Sequence, residues 1–247
     1  MTTACVIIIG NEILSGRTKD VNLNWLAVEL NKVGVKLCEA RVIADIPQAI
    51  IATLNECRKN YDYIFTTGGI GPTHDDITSE NIAAALEVAY EKNLQAEAIL
   101  AKHYGEENLN AARLKMSYMP VGAELILNPV SAAPGFHIEN IYVMAGVPRI
   151  MQAMFDNIKH TLKGGEPVLS KTISIFMTEG LIAEGLTKIQ NDFPQTEIGS
   201  YPFVRNNRLG TSLVARNKDA TELEKVGTVI REFILGLGGE IDNTEEQ

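Results

Sequence analysis

Short unbroken apolar runs alternate along this chain with stretches in which apolar residues recur every three or four positions. That is the pattern of buried strands joined through amphipathic helices. Ala4 to Ile9 is a β-branched run that stops at Gly10 and predicts a first strand buried on both faces. Leu23, Leu26, Ala27 and Leu30 share one helical face, predicting a helix from about Val21 to Lys32 that ends at a left-handed cap on Gly34. Val35 to Val42 alternates as a strand, and Asp45 and Pro47 open a helix carrying Ile50, Ile51, Leu54 and Cys57. Tyr63 to Thr67 predicts another buried strand, Ile77 to Ala89 a helix, and Leu94 to about Met116 a second, more polar helical region. Glu124 to Asn128 and Ile138 to Met144 predict strands on either side of a loop, Pro129 to Phe136. A helix bearing Ile150, Met154, Phe155 and Ile158 follows Gly146-Val147-Pro148. The repeated βα order predicts an α/β fold of three layers, α/β/α, around a mostly parallel sheet with right-handed crossovers.

A hinge is expected at Lys163-Gly164-Gly165-Glu166-Pro167, dividing the chain into a larger α/β domain, residues 1–165, and a small α+β domain, residues 168–247. In the small domain the pattern predicts a strand at Ser170–Phe176, a helix at Gly180–Gln190, strands near Ile198–Tyr201 and Thr211–Ala215, and a helix from about Ala220 to Leu235. Tyr201-Pro202 and the loop Arg205-Asn206-Asn207-Arg208 interrupt it, and the tail from Asp242 to Gln247 is expected to fray.

Parallel strands place their carboxyl ends at one edge, where open α/β sheets bind ligands. Three segments reach that edge. Asn11 and Glu12 follow the first strand, and Thr67-Gly68-Gly69-Ile70-Gly71-Pro72-Thr73 follows the third. Gly146-Val147-Pro148 follows the last. The glycines leave little side-chain bulk, so backbone amides and a helix start can approach an anion such as a phosphate. Asp75 and Asp76 add two carboxylates, which suit a divalent cation between protein and phosphate; Asp is also a favoured helix cap, and that alternative stands beside the first. The loop lacks the Lys-Ser/Thr ending of a P-loop and is not GxGxxG. Arg17 and Lys19, on a polar segment able to fold over the site, are candidate phosphate contacts or, equally, merely solvated side chains. His74 is read as a tuning residue and His103 as a surface or packing residue.

The length of 247 residues and a 45% hydrophobic content fit a globular chain of one large, or one large and one small, domain. A net charge of −9 argues against direct nucleic-acid binding, because phosphate backbones are held mainly by Lys and Arg. No apolar run is long enough to span a bilayer and the start lacks a basic signal region, so a cytoplasmic protein without membrane attachment is expected. Cys5, Cys38 and Cys57 are far apart within apolar patterns and are expected as reduced core residues.

The loop Gly68-Gly69-Ile70-Gly71-Pro72-Thr73-His74-Asp75-Asp76 resembles the signature of the molybdopterin-binding (MogA/MoaB/MoeA-like) superfamily. Ile9-Gly10-Asn11-Glu12-Ile13-Leu14-Ser15-Gly16, Ala133-Pro134-Gly135-Phe136 and Gly146-Val147-Pro148 resemble the N-terminal part of the competence/damage-inducible (CinA) branch. The likeness runs over nearly the whole chain. It departs at Ser131-Ala132, where the family often has Gly-Thr, and at Met144-Ala145, where it often has Leu-Pro. The resemblance implies a metal-dependent pyrophosphatase acting on a nucleotide diphosphate of the ADP-ribose type, with catalytic Asp75, Asp76 and Glu12. Asp75 and Asp76 would hold a divalent cation. Asn11, Thr67 to Thr73, Ser131, Pro134, Gly135, Gly146, Val147 and Pro148 would bind the ligand. The alternative is binding of molybdopterin without hydrolysis, in molybdenum-cofactor biosynthesis. Either way the partner is a small anionic nucleotide or pterin, the branch's C-terminal amidase activity is not expected, and a homo-oligomer, with a dimer favoured, is implied.

Overall fold

A computed structural model describes residues 1–242 and divides the chain into two compact units, Met1–Gly165 and Glu166–Gln247. In the first unit β1 (Thr3–Ile9) is followed by the short α1 (Asn11–Leu14), α2 (Asn22–Lys32), β2 (Lys36–Ile43), α3 (Pro47–Asn60) and β3 (Tyr63–Thr67). Then come α4 (Thr78–Leu86), β4 (Tyr90–Lys92), α5 (Leu94–Tyr104), α6 (Ala111–Lys115), β5 (Tyr118–Pro120) and β6 (Glu124–Ile126). The unit closes with β7 (Gly135–Ile138), β8 (Ile141–Met144) and α7 (Pro148–Ile158). The main sheet has the order β2-β1-β3-β8-β7-β6; the first four strands are parallel, β7 runs against them, and β6, antiparallel to β7, runs in their direction again.

The unbroken apolar runs are central because both faces of the sheet are covered. Ala4, Val6 and Ile8 of β1 pack with Phe65 and Met144 against Leu26 and Leu30 of α2 and Met154 and Phe155 of α7. Cys5, Ile7 and Ile9 face the other way, packing with Ile64 and Val143 against Ile50 and Leu54 of α3 and Ile82 of α4. Three layers follow directly from this alternation. Gly164 and Gly165 belong to this unit's framework: Gly165 donates to the Gly34 carbonyl at 2.9 Å, and a Cβ on Gly164 would lie 1.6 Å from the Val33 carbonyl oxygen.

Several local expectations change. The helix expected to reach Ala89 stops at Leu86, where Glu87 takes a left-handed φ of 57°, and β4 begins soon after. The long polar helical region is broken by Gly105 (φ 82°) into α5 and α6, each with its own Asn cap, Asn93 and Asn110; β4 and β5 pair across its base. The apolar stretch from Ile138 to Met144 is two strands rather than one, because Glu139 turns with φ 52° into Asn140. Gly135 and Phe136 consequently lie in β7 rather than in the preceding loop. Cys5 and Cys57 are buried, whereas Cys38 is exposed, because it falls on the outward parity of the edge strand β2.

The second unit runs β9 (Leu169–Ile175), α8 (Glu179–Asp192), β10 (Glu197–Arg205), β11 (Arg208–Asn217), α9 (Ala220–Gly236) and β12 (Ile241–Asp242). Its sheet has the order β10-β11-β9-β12 with every pair antiparallel. Ile173, Ile175, Leu213 and Ala215 meet Ile182, Ile189, Val226, Ile230 and Ile234, so both helices cover one face. Asn206 and Asn207 both take positive φ, 51° and 59°, and make a two-residue turn that joins β10 to β11. The predicted interruption at Tyr201-Pro202 lies inside β10; a proline is tolerated there because β10 is an edge strand. Gln190 Oε1 accepts the outward N–H of Ile198 at 2.9 Å. Asp242, expected in the frayed tail, pairs with Ser174 in β12 and with Arg205 at 2.5 Å; the rest of the expected fraying, from residue 243 on, lies outside the described residues.

Candidate functional site

The carboxyl ends of β1, β3 and β8 meet backbone to backbone. Gly68, just past β3, donates its N–H to the Met144 carbonyl at 3.1 Å, and a Cβ on it would lie 2.2 Å from the Ile9 carbonyl oxygen. With φ at 102° as well, this position admits only glycine. A Cβ on Gly146 would in turn lie 3.3 Å from the Gly68 Cα. Asn22, the first residue of α2, fastens the third segment by donating Nδ2 to the Gly146 carbonyl at 2.7 Å.

Thr78, buried at the start of α4, holds the glycine loop. Its Oγ1 donates to the Gly68 carbonyl at 3.0 Å, and its N–H donates to Gly69 at 2.9 Å. Beyond Gly71 and Pro72, the exposed Thr73 hydroxyl lies 2.5 Å from both Asp75 Oδ1 and Asp76 Oδ2, so one hydroxyl bridges two carboxylates. Asp76 also accepts the Thr73 N–H at 2.8 Å, and Lys115 donates to the Thr73 carbonyl. The Thr73 hydroxyl, first, and then its own amide, His74 and Lys115 hold the Asp75 carboxyl below its ordinary range. Neither aspartate caps α4, whose N-cap is Ile77 without a side-chain bond. His74 is almost fully exposed.

Asn11 donates its backbone N–H to Asp45 at 2.8 Å, and Glu12 folds its carboxylate back over Gly10, where a Cβ would meet Oε1 at 2.6 Å. Among the described residues no three His, Cys, Asp or Glu side chains gather into a ready metal cage, so the adjacent Asp75 and Asp76 stand as a pair. Ile70, Gly71 and Asp76 line a cleft with Pro134, Phe136, Tyr90, Tyr118 and Lys115. Ser131 is engaged by Asn128, whose Nδ2 donates to Ser131 Oγ at 2.7 Å and to the Ala133 carbonyl at 2.9 Å. Gly135 is buried, a Cβ there meeting the Val143 carbonyl oxygen at 2.3 Å, so its smallness serves strand packing. Val147 and Pro148 are exposed at the start of α7, as is Arg149 beside them. Arg17 and Lys19 are exposed and have no ion-pair partner among the described residues; the Thr18 N–H between them returns to the Glu12 carbonyl at 3.0 Å.

Sequence reasoning missed Asn22, Thr78, Lys115 and Asn128. Asn128 had a signal, since Asn-Pro favours a turn. Asn22 had none, because a polar residue at a helix start reads as solvated, yet it is 4% exposed.

The family described as "Probable molybdopterin binding domain" matches residues 5–164, well over half of the chain. The chain belongs to this family. Beyond the molybdopterin-binding domain, residues 167–235 match a second family, "FAD synthase, middle domain". A CinA-like protein of Fusobacterium nucleatum is 31% identical over 252 residues, covering 98% of this chain and 62% of the relative. A "Probable FAD synthase" of Caenorhabditis elegans is 30% identical over 260 residues, covering 95% of this chain and 50% of the relative. The chain therefore spans about half to two thirds of these relatives' length. The solved structure of the protein CinA from Thermoplasma acidophilum is similar to this chain with a TM-score of 0.62 at 31% identity, covering 65% of this chain and 97% of that one. No helix among the described residues is long and apolar enough to cross a membrane.

Proposed function

We propose that the carboxyl edge of β1, β3 and β8 binds a nucleotide diphosphate and that the protein hydrolyses it at the diphosphate with a divalent cation. ADP-ribose represents the substrate class, and FAD, named in the relatives and in the second matched family, shares its diphosphate chemistry. The observation that carries the reading is the Asp75 and Asp76 pair around one hydroxyl, directly beyond a glycine loop packed against two other strand ends. Backbone amides at Gly69, Gly71 and Gly146 suit phosphate oxygens, while two adjacent carboxylates fit a hard cation shared with those oxygens. When bound, such a cation offsets developing phosphate charge and activates water. Asp76 keeps its loop closed by holding the Thr73 amide, Asp75 stays ionised beside it, and Glu12 stands at the neighbouring strand end.

The second reading, molybdopterin binding without hydrolysis, is favoured by the description of the matching family. The purified protein, incubated with ADP-ribose, FAD, NAD and dinucleotide polyphosphates under Mg²⁺, Mn²⁺ or chelator, separates the two. Cation-dependent release of AMP is the expected outcome. Tight pterin binding with no turnover of any diphosphate would replace the first reading by the second.

A further inference from the structure

Two buried polar atoms at the edge have no hydrogen-bond partner among the described residues, and both lie on the same side of the sheet. Asn22 is 4% exposed, and its amide orientation is dictated by the Gly146 carbonyl, which must face the Nδ2 donor; Oδ1 is left as a buried acceptor without a donor. Thr67, 1% exposed at the end of β3, has an unpartnered Oγ1. Its register neighbours, Ile8 and Met144, pack into the core shared with Leu26 and Leu30, so Thr67 faces the α2 layer that Asn22 opens. Buried polar groups are nearly always satisfied, and leaving one unpaired is costly unless another molecule completes it.

We infer that Asn22 and Thr67 form a hydroxyl-recognition subsite that receives a sugar O–H of the bound nucleotide. This rests on the diphosphate reading above. A phosphate cannot satisfy Asn22, because both are acceptors; the atom calls for a neutral donor. Asn22 is bonded to the Gly146 turn, whose backbone amides suit a phosphate, and in any nucleotide diphosphate a sugar is attached one carbon away from a phosphate oxygen. The charged and the hydroxylated parts of one ligand thus find neighbouring partners of opposite hydrogen-bonding character. Thr66 also has an unpartnered hydroxyl, but it faces the opposite layer and serves as a control.

The test uses ADP-ribose with a methylene-bridged diphosphate, which is not cleaved, and analogues lacking one ribose hydroxyl at a time, with binding followed by calorimetry. The wild-type protein should bind one analogue about tenfold more weakly than the parent, the weight of one well-made hydrogen bond. Thr67→Val should weaken the parent by a similar factor and abolish that discrimination, Thr67→Ser should retain both, and Thr66→Val should bind as wild type. Equal binding of every analogue by the wild type, or discrimination that persists in Thr67→Val, overturns the subsite while leaving the diphosphate reading standing. No binding of the parent overturns both.

Discussion

Gly68 shows how much of the site is decided by an absent side chain. Gly68→Ala brings a Cβ to 2.2 Å from the Ile9 carbonyl oxygen at a φ that alanine avoids, so it should lower stability by about 2 kcal/mol or more in urea unfolding. Thr66→Val replaces an unpartnered buried hydroxyl by a methyl of the same shape, and thermal melts should show a rise, corresponding to about 1 kcal/mol. Asp75→Asn and Asp76→Asn remove charge while leaving an oxygen to accept from Thr73. Melting should stay near wild type while turnover falls by roughly 10²-fold, about 2.7 kcal/mol of barrier. Unchanged, cation-independent turnover in both would end the catalytic assignment. The Thr73 hydroxyl is the main cause of the depressed Asp75 pKa, so Thr73→Val lets Asp75 take up its proton at higher pH. The acid limb of the rate profile should move upward in that variant.

At the level of elements, edge strand β2 is fastened to α3 by Arg41, which pairs with both oxygens of Glu56 at 2.7 Å and with Glu39 at 2.6 Å, while Tyr61 donates to Glu39 at 2.5 Å. Arg41 lowers the pKa of both glutamates in the folded state. Their contribution is therefore present above the ordinary carboxylate pKa and is lost as pH falls through the depressed folded values. Glu56→Gln should flatten the acid side of a stability-versus-pH curve without changing its sign. The central strands were legible because β1 and β3 are buried on both faces and read as continuous apolar runs. The glycine loop was legible because its glycines stand directly after such a run. Less was legible where a single residue redirects the chain: Glu139 in the left-handed region, Gly105 breaking a polar helix, Asn128 organising a loop through four hydrogen bonds. These depend on local geometry that periodicity does not encode. Asn22 was invisible for a different reason, since only its burial distinguishes it from a solvated helix start.

Across the whole molecule, each unit has its own core. The glycine pair before the second unit is spent on close backbone packing rather than on looseness. Gly164→Ala should therefore destabilise the first unit, visible as a lower melting temperature, because its Cβ collides with the Val33 carbonyl. We also propose self-association as a dimer, as the superfamily resemblance implies; light scattering that returns the 27.0 kDa mass of one chain at every concentration would refute it. Strand β10 limits how such an assembly could be built. On either side of the Asn206-Asn207 turn the backbone groups alternate inward and outward, which places Ile198, Ser200, Pro202 and Val204 on the open side. Ile198 is already occupied by Gln190 and Pro202 has no N–H to offer. A neighbouring strand would find donors only at alternate rungs of this ladder. The β10 edge is therefore a poor template for a growing sheet when the small unit crowds against its own kind, because only Ser200 and Val204 among its outward positions still have an N–H to donate.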